Sequence, residues 1–272
     1  MAKPLTDAIT ALTTYANTVT GASDTDLSSA VATLANGYGQ GGSDDFVAWL
    51  NNTLESYEND NLTNIPAYGF YQRTALKTIS FPNATMIGTA AFNECTSLEN
   101  VNLPKIQNVE QNSFRNCSKL PSISFLALAK ELRNYCFDGC SGAVTARLPS
   151  FCRSNTGTFR NCTKLASVDL GKSTLTDNSQ YMGAQQFSGC SLLSLLILRN
   201  PKVLTIGNIN TFNGTPFASN GTGGTLYVPQ SLISSYQSAS NWSTILGYAN
   251  NQILPIEGSI YETQYADGTP IE

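Results

Sequence analysis

A short phrase recurs through the middle of the chain, and it limits the available folds more than any other feature. Phe92-x-x-Cys95-x-x-Leu98 returns as Phe114-x-x-Cys117-x-x-Leu120, as Phe159-x-x-Cys162-x-x-Leu165 and as Phe187-x-x-Cys190-x-x-Leu193. Two degenerate copies extend the series: Phe137-x-x-Cys140 has Ala143 in the Leu slot, and Phe70 to Leu76 carries Arg73 in the Cys slot. The Phe anchors at 70, 92, 114, 137, 159 and 187 are 22, 22, 23, 22 and 28 residues apart, and Phe212 offers a weaker seventh. A unit this short cannot bury its own apolar face, so copies must stack into a solenoid.

After each Leu slot apolar residues alternate: Ile79 and Phe81, Val101 and Leu103, Ile123 and Phe125, Val168 and Leu170, Leu196 and Leu198. A period of two predicts a short half-buried strand. Pro82, Pro104 and Pro149 then end the strand, because proline cannot donate to a ladder. A second apolar position before the next Phe, as in Ile87-Gly88 and Ile206-Gly207, predicts a further short extended or turn segment. Between the paired strand positions lies an outward row, Ser80, Asn102, Ser124, Arg147, Asp169 and Ile197. Its first five members are the candidate ligand-binding residues. A plain solvated sheet face accounts for the same row, since it holds no aromatic cluster and no single-sign charge run.

Five of the seven cysteines, Cys95, Cys117, Cys140, Cys162 and Cys190, share one slot of successive coils, where a free thiol packs as a small buried hydrophobe. Bridges between adjacent coils are within Cα reach. The odd total, the lack of a recognisable secretion signal and Arg73 in the same slot argue against them. Metal binding is disfavoured because there is one Cys per coil, no C-x-x-C and no His. Packing is also the expected role of Cys136 and Cys152.

The absence of His removes Ser-His-Asp and Cys-His catalysis along with imidazole metal sites. No catalytic, cofactor-binding or metal-ligating residues are expected, and the chain does not read as an enzyme. Only 12% of residues are charged and the net charge is −4, which gives no cationic field for nucleic acid or membrane surfaces. No stretch approaches the roughly 18 apolar residues of a membrane span.

The expected fold class is α+β: a solenoid of short stacked strands preceded by a small helical module. Residues 1–42 carry two apolar stripes (Leu5, Ile9, Leu12 and Leu27, Val31, Leu34) and end in a Gly-rich linker. These stripes hold too little core to fold alone, so assembly is their expected role. Residues 43–60 read as a capping helix with Phe46, Trp49, Leu50 and Leu54, residues 61–228 as the repeats, residues 229–256 as a closing cap with Pro229 near a helix start, and residues 257–272 as a polar tail. The long fifth spacing places an insertion near Gly171 to Gly183.

The grammar I-G-x-x-A-F-x-x-C-x-x-L-x-x-V-x-L-P from Ile87 to Pro104, with Tyr227-Val228-Pro229 leading to Tyr236 and Trp242, resembles the BspA-like leucine-rich repeats of bacterial surface proteins over about residues 61–256. The resemblance implies a leucine-rich-repeat solenoid with a binding surface and no reaction or cofactor. The leader, TDAITALTTYAN followed by TDLSSAVATLANGYG, is similar to the helical leader of BspA-repeat proteins encoded in phages and prophages of gut Firmicutes. That implies a virion protein, a tail or head fibre assembled in the host cytoplasm. It would attach as a homo-oligomer or to another virion protein through its N-terminal helices, and bind a host cell-surface glycan or protein. The alternative expectation is a BspA-type adhesin on the bacterial cell surface.

Overall fold

The computed structural model describes residues 48–125, 127, 131–151, 153–172, 181–248 and 250–271. The helical module with Leu5, Ile9, Leu12, Leu27, Val31 and Leu34 therefore lies outside the described residues, as do Phe46, Cys152 and most of the expected insertion.

Each coil up to the one with β13 and β14 contributes two strands on two faces, and β15 and β16 extend one face alone. The first coils supply β1 (Ser56–Glu58), β2 (Asn64–Ile65), β3 (Thr78–Ser80), β4 (Met86–Ile87), β5 (Asn100–Asn102) and β6 (Asn108–Val109). The middle coils supply β7 (Ser122–Ser124), β8 (Glu131–Leu132), β9 (Thr145–Leu148), β10 (Arg153–Ser154), β11 (Ser167–Leu170) and β12 (Tyr181–Met182). β13 (Leu195–Leu198), β14 (Thr205–Ile206), β15 (Thr225–Val228) and β16 (Gln252–Pro255) follow. The even strands from β2 to β14 form one unbroken parallel sheet of seven. On the other face the row divides into β1-β3-β5 and β7-β9-β11-β13-β15-β16. Every pairing advances the register by one coil, so Ile79 lies beside Val101 and Val168 beside Leu196.

The interior follows from the repeated phrase. Phe70, Phe92, Phe114, Phe137, Phe159 and Phe187 have no exposed surface. With Phe212 they stack ring upon ring, centroids 5.1 to 5.7 Å apart. Each thiol of the Cys slot donates to the carbonyl of the Phe one coil earlier, at 2.9 to 3.2 Å, and these five cysteines are unbridged.

The chain turns sharply on both sides of each Phe. Two residues before it, Tyr68, Ala90, Asn112, Tyr135, Gly157 and Gln185 have φ between 52° and 63°. Two residues after it, Gln72, Glu94, Asn116, Gly139, Asn161 and Gly189 have φ between 56° and 82°. These left-handed positions form a second pair of columns, and the second favours Asn and Gly for the reason such residues favour that region.

Both ends of the described solenoid are plugged. Residues 48–50 are helical, Trp49 is fully buried and its Nε1 donates to Gly69 O at 2.9 Å. Arg73, in the first Cys slot, donates through Nη1 to Trp49 O at 2.5 Å and to Leu50 O at 3.3 Å. At the other end stand α1 (Ile233–Ser238) and α2 (Trp242–Leu246). Tyr236 and Trp242 are buried there, and Trp242 Nε1 donates to Leu204 O at 2.7 Å while the Tyr236 hydroxyl accepts from Leu204 N–H at 3.0 Å. Pro229 does not open α1 directly: a 3-10 turn, Gln230–Leu232, intervenes.

Candidate functional site

The register places Ser80 beside Asn102, Ser124 beside Arg147 and Arg147 beside Asp169, with Ile197 beyond, in the divided row of strands. Surroundings then separate them into two groups. Asn102 and Ser124 are exposed and Ser80 is half-buried. Asn102 Nδ2 donates to Ser80 Oγ at 3.0 Å, and Ser80 Oγ to Glu58 Oε1 at 3.2 Å, so a polar relay runs along this end of the row.

Arg147, Asp169 and Ile197 depart from the outward row expected of them. Asp169 is 1% exposed and Ile197 is fully buried. The cause is the segment expected only as a polar tail: residues 257–271 fold back over the strands as a strap. Asp169 accepts from Arg199 Nε and Nη2, both at 2.8 Å, and from the strap's Ala266 N–H at 3.1 Å. Arg199 also donates to Tyr261 O at 2.6 Å and to Gln264 O at 2.8 Å. Arg147 pairs with Asp267 at 3.4 Å, and both arginines lie over the Tyr265 ring, 4.5 and 5.2 Å from its centre. Burial raises the Asp169 carboxyl above the usual carboxylate range, with Arg199 pulling the other way. The Arg147 and Asp169 end of the row is already occupied by the protein's own chain.

The uncovered end holds a cleft of about 470 Å³ where the row divides. Its lips are β5 and β7, and Leu120, Phe114 and Phe125 line its floor. Pro121 accounts for the division. In the same slot of other coils, Lys77 N–H donates to Glu55 O at 2.7 Å, Glu99 N–H to Lys77 O at 2.9 Å, Val144 N–H to Pro121 O at 3.0 Å and Ala166 N–H to Val144 O at 2.8 Å. Proline has no N–H to give. The bond that would start the β5–β7 ladder is missing, while the Phe92 and Phe114 rings beneath stay stacked at 5.1 Å. The cleft is thus a local opening in a continuous solenoid. Asn102 and Ser124, two of the five expected binding residues, sit on its two lips.

Among the described residues no group of three or more Cys, Asp or Glu could hold a metal ion, and no helix is long and apolar enough to cross a membrane. Stacked coils of this length, with parallel strands outside and Phe, Cys and Leu columns inside, define a leucine-rich-repeat solenoid. Residues 63–176 match the family described as BspA type Leucine rich repeat region, in six copies. Similar solved structures include a leucine-rich-repeat protein of T. pallidum, 26% identical, matched over 56% of this chain and 73% of that one with a TM-score of 0.47. Another, from Bacteroides ovatus, is 16% identical over 75% of this chain and 62% of that one, with a TM-score of 0.37. No curated protein matches. The family points to binding or adhesion.

Proposed function

We propose that this is a surface-recognition protein: the open end of the strand row holds a glycan or protein of a host cell surface, and residues 1–42 fasten the chain to a larger particle. The observation that carries the reading is the cleft at Pro121, a concave site with a polar rim and apolar floor on the face where the half-buried Ser80 and the exposed Asn102 and Ser124 converge. In its finer form the particle is a phage virion and the protein a tail or head fibre, present as a homo-oligomer or bound to another virion protein. The resemblance of the leader supports that form, and an adhesin on the bacterial surface is the competing one.

Two measurements test the reading. Purified virions of a host strain carrying the gene should contain the protein by mass spectrometry; its recovery in the cell envelope instead would favour the adhesin. The chain, multimerised on beads to raise weak single-site affinity by about 10² to 10⁴, should be retained on host cells. Substituting Asn102→Ala with Ser124→Ala should reduce that retention, and unchanged retention would remove the cleft from the site.

A further inference from the structure

We infer that the cleft between β5 and β7 is a slot for one extended segment of a partner polypeptide, which enters as the missing strand between the two lips. This rests on the ladder face being the recognition surface and names the chemistry it recognises.

The lips are open strand edges. In β5, Asn100 N–H donates to Lys77 O at 2.9 Å and Asn102 O accepts from Phe81 N–H at 3.0 Å, so these two residues serve the preceding coil. Alternate residues of a strand turn their backbone groups to opposite sides, which directs the N–H and C=O of Val101 into the cleft. In β7, Phe125 N–H donates to Arg147 O at 3.4 Å and Pro121 O accepts from Val144 N–H at 3.0 Å. Those residues serve the following coil, and the backbone groups of Ser122 and Ser124 face the cleft. Neither β5 nor β7 has a ladder partner on this side.

Such an opening asks for a ligand with alternating N–H and C=O groups at strand spacing, and a polypeptide backbone has that pattern. Each lip is three residues long, so the insert presents about three residues, or about 10 Å at 3.3 Å per residue. Its side chains alternate between the apolar floor of Leu120, Phe114 and Phe125 and the polar rim. The lips offer Ser and Asn side chains and no exposed ring on which a sugar could stack. The self-made strap leaves this end free, since its polar contacts with the strand row fall on Arg147, Asp169 and Arg199.

The test uses the full chain and a randomised heptapeptide library. Amides of Val101, Ser122 and Ser124 should exchange with solvent at least tenfold faster than those of Ile79 and Ala146, and equal protection would mean a closed ladder and overturn the inference. The chain should enrich extended, β-branched peptides that slow exchange at Val101, Ser122 and Ser124. Pro121→Val restores the donor found at Val144 and should weaken that binding at least tenfold. Backbone N-methylation of the peptide should do the same with the wild-type chain, which guards against a variant that folds poorly. Failure to enrich any peptide over the Pro121→Val chain, or protection of the same amides by a host glycan, overturns the polypeptide assignment. If host cells still retain the chain in that event, the recognition reading stands; if they do not, it falls as well.

Discussion

The thiol of Cys117 donates to the carbonyl of Phe92, one coil back, at 3.1 Å. That carbonyl also accepts Cys95 N–H from its own coil at 3.1 Å, so the thiol supplies its second donor. The slot therefore rewards a small side chain that is apolar in bulk and carries one weak donor, which is what free cysteine offers. Cys117→Ala should cost about 1–2 kcal/mol from lost contacts and one lost hydrogen bond. An unchanged urea midpoint would count against the thiol's role.

Alkaline pH should unfold the protein. Burial pushes the Cys95 thiol from the ordinary 9.0 up to about 12, and it raises Cys117, Cys140 and Cys162 in the same sense. Above the ordinary thiol value the unfolded chain has released protons that the native chain still holds, so stability is fully present below that value and declines as pH rises. Each such thiol contributes a slope of at most about 1.4 kcal/mol per pH unit. Melting temperatures should fall more steeply above the ordinary thiol value for the wild type than for Cys117→Ala, and parallel curves would refute the assignment. At pH near neutrality the same thiols should resist labelling until the chain unfolds.

Gly139→Ala should destabilise the turn after Phe137 beyond the effect of backbone handedness alone. Gly139 has φ +76°, and a Cβ there would lie 2.3 Å from Oδ1 of Asn116 in the coil before. Asn161 and Gly189 repeat the relationship, with the corresponding approach at 2.6 Å. Backbone handedness alone costs about 1–2 kcal/mol for one left-handed non-glycine residue, and the collision adds to that. Asn116→Gly should recover part of it in a double-mutant cycle; no coupling between the two sites would show that the collision does not matter.

The strap should depend on one arginine. Arg199→Met leaves the Asp169 carboxylate, 1% exposed, with only the Ala266 N–H, and breaking such a buried pair costs about 3–5 kcal/mol. Asp169→Leu added to Arg199→Met should restore much of that loss, because the stranded charge is gone. Limited proteolysis should cut Arg199→Met first within residues 257–271, and an unaltered cleavage pattern would show that the strap is held elsewhere.

The stacking architecture was legible because a single residue type marks each coil: Phe recurs at nearly constant spacing, and Cys95 to Cys190 mark the same slot beside it. The left-handed columns carried a weaker signal. The row through Gln72, Glu94, Asn116, Gly139, Asn161 and Gly189 leans toward Asn and Gly only after alignment on Phe, and the row through Tyr68, Ala90, Asn112, Tyr135, Gly157 and Gln185 is dominated by no residue type. The cleft could not be read from Pro121 without knowing which residue of each coil donates to the one before. The strap was illegible for another reason: its contacts with Arg147 and Asp169 join residues about 100 positions apart through polar groups that no periodicity announces.

Arg73 gives the whole stack a direction. Its guanidinium reaches back to the carbonyls of Trp49 and Leu50 just as each later thiol reaches back to a Phe carbonyl, while the backbone of each coil reaches forward, as where Phe92 N–H donates to Ser113 O at 2.7 Å. An interior coil excised or duplicated as a whole unit should leave a joint that reseals, since each Phe carbonyl in the column meets a thiol in the same way. The first coil is not interchangeable in that way. An engineer lengthening the rod should splice between Phe92 and Phe159 and leave the Trp49–Arg73 junction untouched.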